Sequence, residues 1–199
     1  DDLVGARIGF QEGGPWMLTQ AMFVKNGIDP ASLEQQTIGF DLTALFEGQI
    51  DLQTVFATTE PIIADSQGIA TTVFVPYDYG VETSANALFT SQRYFEENPD
   101  VVCRMVRAMA RGWEYAFENP DEAAEIVVAV DPDNLDLDVE RKIIAAMDGA
   151  VRTPDAIENG IGSMTRERWQ TTVDVLRDFG GLEAEVDLDS IYSDVCFAE

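Results

Sequence analysis

The sequence predicts an α/β fold: a mostly parallel five-stranded sheet in the first half of the chain, followed by a helical C-terminal region. Three observations predict it. Up to about residue 91, short apolar runs alternate with short amphipathic ones; glycine or proline marks most junctions; after that point apolar residues recur at helical spacing and no convincing strand follows.

The elements follow in order. "ARIGF" (6–10) reads as a strand, and "PWMLTQAMFVKNG" as a helix with Pro15 in its first turn and Gly27 just past its end. "LEQQTIGF" alternates as a second strand, "DLTALFEGQ" is a short helix with Asp41 as N-cap and Gly48 as C-cap, and "IDLQTVFA" is a third strand. "TTEPIIADSQG" starts another helix. "ATTVFVPYDYG" gives a fourth strand ending in an aromatic loop, and "NALFTS" a fifth. Helices are then expected at about 100–117, 120–129, 136–149 and 165–179, with "AEVDLDSIYSDVCFAE" as a last short helix or extended tail. The division is residues 1–92 as an α/β ligand-binding lobe and 93–199 as a helical region that packs on this lobe and on a first lobe that this stretch does not contain.

Composition narrows the function. Of 199 residues, 46% are hydrophobic, enough for a real core, and 37 acids face 12 bases for a formal net charge of -25. Such a chain repels nucleic acid and anionic membrane surfaces. Its acids are dispersed, as on an acidic solvated surface made for high salt. No window is long and apolar enough to insert into a membrane, and the N-terminus shows no export signal. Cys103 and Cys196 are too few for a zinc site; one disulfide in an oxidising compartment and two buried thiols are both open. With no histidine, the commonest general base and metal ligand is missing. No nucleophile elbow or phosphate loop is present, so neither catalysis nor a resident cofactor or metal is expected.

In an open α/β sheet, ligands settle outside the carboxyl ends of the strands. Glu12, Gly13, Gly14 and Trp16 lie in "FQEGGPW", where a helix N-terminus and its free N–H groups favour an anion or polar acceptor; a tight turn is the alternative. Thr58, Thr59 and Glu60 of "ATTEP" either start a helix or present a carboxylate and two hydroxyls to ring N–H groups. Tyr77, Asp78 and Tyr79 of "PYDYG" offer aromatic faces to a planar ring, or anchor the loop; Phe40 is similarly ambiguous.

Taken together, "DLVGARIGF", "GIDP", "LFEGQIDLQTVFATTEP", "DYG", "LFTS", "ENPDVVCRMVRAMARGWEYAFENPDEAAEIV" and "GIGSMTRERWQTTVDVL" resemble the substrate-binding proteins of ABC importers for thiamine pyrimidine precursors and riboflavin. Alkanesulfonate binders are more distant relatives. The resemblance runs from about residue 2 to 192. It implies a type II periplasmic-binding fold, in which two lobes close on a ligand, and a leading segment of about 100 residues that supplies most of the first lobe. Glu12, Gly13, Gly14 and Trp16 match the family's glycine-rich cleft loop, and Glu60 matches a position that reads the ring in pyrimidine binders. The fungal synthase of this superfamily consumes its own histidine, so that activity does not carry over. The implied protein is a monomer in the periplasm or outside the cell, lipid-anchored through a missing N-terminus. It binds a small planar heterocycle and hands it to an ABC permease. A receptor's ligand-sensing domain, or a binder of an alkanesulfonate, is the alternative.

Overall fold

The computed structural model describes residues 3–83 and 86–197. The chain divides into two compact units, residues 1–85 with 167–185 and residues 86–166 with 186–199. This partition differs from a single cut at 92/93, because the chain returns to the first unit after residue 166.

In the first unit, β1 (Arg7–Phe10) is the central strand of a parallel sheet, with β2 (Glu34–Thr37) on one side and β3 (Leu52–Gln53) on the other. Arg7 to Phe10 pair with Glu34 to Thr37, and Ile8 and Gly9 pair with Leu52 and Gln53. Gly9 is bare for a reason. A Cβ there would lie 2.4 Å from Ile38 Cδ1 and 2.7 Å from Ile50 Cδ1, so the two isoleucines close over the middle strand only where it has no side chain.

Helix α1 (Gly14–Lys25) returns antiparallel to β1, begun by proline as the sequence predicts and ending at Asn26. It buries Trp16, Ala21, Met22 and Phe23 against Ile8, Phe10, Leu33, Val81 and Val175, the last brought by α9 (Arg166–Phe179). α2 (Thr43–Phe46) and α3 (Glu60–Ser66) follow β2 and β3. Ahead of α2, the Asp41 carboxylate is held below the ordinary carboxylate pKa by the Thr43 side chain first and then by the Thr43 N–H, which it accepts at 3.1 Å.

The described residues contain three strands, where the sequence predicts five. Residues 69–75 and 86–91 form no ladder, and Val73, Phe74, Leu88 and Phe89 are exposed. β-branched and aromatic residues favour a strand only where a neighbouring strand takes up its N–H and C=O groups, and here neither segment has one.

The second unit is helical: α4 (Gln92–Glu97), α5 (Pro99–Glu118), α6 (Pro120–Val128), α7 (Leu137–Val151), α8 (Pro154–Asn159) and α10 (Leu188–Ile191). α7 starts where Asp136 accepts from the N–H groups of Asp138 and Val139, both at 3.0 Å. Ala124 of α6 and Ile143 and Ile144 of α7 are buried. A disulfide joins Cys103 in α5 to Cys196 near the C-terminus, which resolves the two open readings of these cysteines in favour of a bond. Among the described residues no helix is long and apolar enough to cross a membrane.

Candidate functional site

The strand order β2-β1-β3 means that the chain leaves the central strand toward one side and later reaches the opposite side. The crevice between the carboxyl ends of β1 and β3 is therefore the topological switch point, where open α/β sheets take their ligands.

Neutral side chains tie this edge together. Gln11, directly after β1, donates through Nε2 to the Gly39 carbonyl at 2.7 Å, while its Oε1 accepts from the buried Thr54 hydroxyl at 3.1 Å. One amide thus links the ends of all three strands. Gln53 donates through Nε2 to the Asp41 carbonyl at 3.0 Å, so the carbonyls on both sides of Phe40 are held and its ring stays 61% exposed. The buried Oε1 of Gln53 has no hydrogen-bond partner among the described residues.

Glu12, Gly13 and Gly14 are exposed at the same edge, after β1. Gly13 adopts φ 117°, ψ -153°, a region that side chains avoid. A Cβ at Gly13 or Gly14 would meet nothing within 4 Å, and no side chain caps α1, so the first N–H groups of the helix stay open to a polar acceptor. After β3, Thr58, Thr59 and Glu60 are half-buried at the start of α3. Thr59 occupies the N-cap position, yet its side chain makes no capping bond. Glu60 Oε2 instead accepts the backbone N–H of Phe56 at 2.8 Å, which fixes the carboxylate on the loop that carries this 45% exposed aromatic residue.

The structure does not gather every residue singled out from the sequence. Trp16 is only 8% exposed and stacks on Phe10 with ring centroids 4.2 Å apart, as part of the core. Tyr77, Asp78 and Tyr79 form a 3-10 turn held to the far end of α1: Lys25 Nζ donates to the Gly80 carbonyl at 2.6 Å and Asn26 Nδ2 to that of Tyr79 at 3.2 Å. At a 1.5 Å rise per residue, that end of α1 is about 18 Å from Gly13. The aromatic turn therefore belongs to the amino end of the sheet. The sequence reading placed it at the carboxyl edge by assuming a fourth strand that the described residues do not form.

Four residues of the edge escaped the sequence reading: Gln11, Gln53, Thr54 and Phe56. Uncharged amides and a hydroxyl give no compositional signal, but each lies within three residues of the end of β1 or β3, and that placement was the available clue. No group of three or more His, Cys, Asp or Glu side chains among the described residues is arranged to hold a metal ion.

The chain is 27% identical over 198 residues to the riboflavin-binding protein RibY of Chloroflexus aurantiacus, covering 97% of this chain and 56% of that protein. It is 28% identical over 203 residues to the formylaminopyrimidine-binding protein of Halalkalibacterium halodurans, covering 98% and 60% respectively. The chain thus spans little more than half the length of these curated relatives. The family model described as NMT1/THI5 like matches residues 1–123, which include the whole β1–β3 edge and its loops, and the chain belongs to that family.

Proposed function

We propose that this chain is the larger part of a non-catalytic solute-binding protein of an ABC importer, and that it captures a small planar heterocycle with a polar edge, a thiamine pyrimidine precursor or a flavin. The observation that carries the reading is the edge between β1 and β3. It combines an exposed aromatic residue at Phe56, a carboxylate at Glu60 anchored on the Phe56 backbone N–H, and an uncapped helix N-terminus at Gly13 and Gly14. Each matches one part of such a ligand. The ring stacks on the aromatic face, a ring or exocyclic N–H donates to Glu60, and a carbonyl or phosphate oxygen accepts from the start of α1. Thr58 and Thr59 complete the polar rim, and Glu12 guards its open side. Trp16 acts from the core by fixing the path of the glycine loop.

The names of the two relatives support this ligand class. In the proposed protein a preceding segment forms the opposite lobe. Ligand contacts favour the closed form, and the permease recognises that form. The Cys103–Cys196 disulfide supports a periplasmic or extracellular site of action, because such bonds persist in oxidising compartments. Calorimetric titration of the full natural protein with formylaminopyrimidine, hydroxymethylpyrimidine, riboflavin and taurine tests the reading. Heat with one of the first three supports it, heat with taurine alone moves the ligand class to alkanesulfonates, and heat with none removes it.

A further inference from the structure

We propose that the turn after β2 forms a further wall of the β1–β3 crevice, with Phe40 as its contact to the ligand ring and Gln11 and Gln53 as the residues that position it. This deepens the proposed function and rests on it. All the residues concerned belong to the compact unit that contains residues 1–85. Successive hydrogen bonds show the turn leaving β2 and crossing the carboxyl end of β1. The Ile38 N–H donates to the carbonyl of Phe10, the last residue of β1, at 3.0 Å. The Gly39 carbonyl then accepts from Gln11, directly after β1, at 2.7 Å, and the Asp41 carbonyl from Gln53 of β3 at 3.0 Å. Phe40 therefore sits between a contact to the end of β1 and a contact to β3, at the switch point itself.

The two amides leave this turn little freedom. A carbonyl oxygen only accepts, so each glutamine must present its Nε2 to the turn. Gln11 is committed at its other end as well, where its Oε1 accepts from the buried Thr54 hydroxyl at 3.1 Å. Gln53 keeps its Nε2 on the Asp41 carbonyl although its own Oε1 is then buried with no hydrogen-bond partner among the described residues, so the orientation that serves the turn persists against the penalty of an unpaired oxygen. The Asp41 carboxylate is engaged on the Thr43 N–H, and Gly39 has no side chain, which leaves the Phe40 ring as what the turn offers the crevice. An aromatic residue on a backbone fixed in advance loses little freedom on binding, and it favours a planar ring over a ligand without one.

Calorimetry on the full natural protein with riboflavin and formylaminopyrimidine tests this. For the ring that the parent binds, Phe40→Ala should weaken affinity about tenfold, Phe40→Tyr should keep it, and Phe40→Leu should bind as weakly as Phe40→Ala. Gln11→Met and Gln53→Met, which keep the length and lose the donor, should each weaken binding several-fold. Neither should cost anything further in the Phe40→Ala background, a non-additivity that a merely structural role would not produce. Phe40 is exposed, so its variants fold even where a glutamine variant does not. Parent affinity in Phe40→Ala removes the wall while the heterocycle reading stands. Parent affinity in Phe40→Leu overturns the ring contact, because the side chain then packs as bulk against protein, a preceding segment included. Equal losses from the glutamine variants with and without Phe40 mean that they do not act through it. A parent that binds neither ring removes the heterocycle reading and the wall with it.

Discussion

Arg7 grips Asp51 across the amino ends of β1 and β3, with Nε 2.9 Å from Oδ2 and Nη2 2.6 Å from Oδ1, while the Arg7 backbone N–H donates to the same Oδ2 at 2.9 Å. Because β3 has only two residues in the ladder, this fork supplies much of what aligns it with β1. The guanidinium holds the Asp51 carboxyl down from 3.8 to about 2. A carboxyl whose pKa is depressed in the folded state contributes stability above its unfolded value and loses it as pH falls through the folded one. The contribution is therefore complete above about pH 4 and gone near pH 2. Asp51→Asn should lower the melting temperature at neutral pH, and the gap to the parent should close during acid titration over that window. Both side chains are half-exposed, so added salt should shrink the gap as well. A gap that is constant from pH 6 to pH 2 would show that the ion pair does not align the strands.

Glu140 behaves in the opposite sense. It is 9% exposed in α7, no cation pairs with its carboxylate among the described residues, and burial raises its pKa. An acid with a raised folded pKa favours folding while protonated, and that contribution falls as pH rises from the unfolded value through the folded one. Glu140→Gln keeps the shape and removes the charge. We expect it to melt higher than the parent at pH 7 and to match it near pH 4, measured by thermal denaturation across that range.

The two glycines of the site loop should respond differently to alanine. Gly13 holds a positive φ that a Cβ strains, at a cost of about 1–3 kcal/mol, whereas Gly14 is already in the helix with open space around it. Gly13→Ala should lose stability by that amount in urea titration and weaken ligand binding as the loop shifts. Gly14→Ala should be neutral or slightly stabilising. Equal losses in both variants would mean that crowding, and not backbone conformation, sets the loop.

Phe56, beside the "ATTEP" loop, and Tyr79, in the "PYDYG" turn, mark the two regions that the sequence reading joined. If the ligand stacks at the carboxyl edge, Phe56→Ala should weaken binding about tenfold by loss of a ring contact, and Glu60→Gln should weaken it through the lost acceptor charge. Tyr79→Ala, about a helix length away, should leave affinity unchanged. Calorimetry on the three variants decides the matter, and a larger loss at Tyr79 than at Phe56 would place the ligand at the other end of the sheet.

Why these regions were joined shows what the sequence could and could not reveal. The β1–α1 unit and helices α5, α6, α7 and α9 were legible within a few residues, because apolar spacing and proline starts are local signals. The fourth and fifth strands were misread because "TTVFV" and "NALFTS" carry strand propensity, while pairing depends on a neighbour that propensity does not supply. Trp16 looked like a cleft residue from its place beside two glycines. Its side chain follows the helix, whose third position turns inward onto Phe10. The amide links of Gln11 and Gln53 connect residues 28 and 12 positions apart, so only the folded sheet reveals them.

The Cys103–Cys196 bond closes a sequence separation of 93 residues and secures a segment with few other anchors. That segment is held by the buried Leu188, by an ion pair between Arg166 and Asp189, and by the Phe197 ring lying over Gly160 and Gly162. Closing so long a loop restricts the unfolded chain, and removal of such a bond typically costs about 2–4 kcal/mol. The Cys103→Ser/Cys196→Ser variant should therefore unfold at lower denaturant, and hydrogen exchange should rise first over residues 186–197 and the Gly160–Gly162 turn that Phe197 covers. The amides of β1 and α1 lie in the other unit and should keep their protection. If exchange instead rises evenly through both units, the bond stabilises the whole chain through its unfolded state, and the C-terminal segment is held by its packing without it.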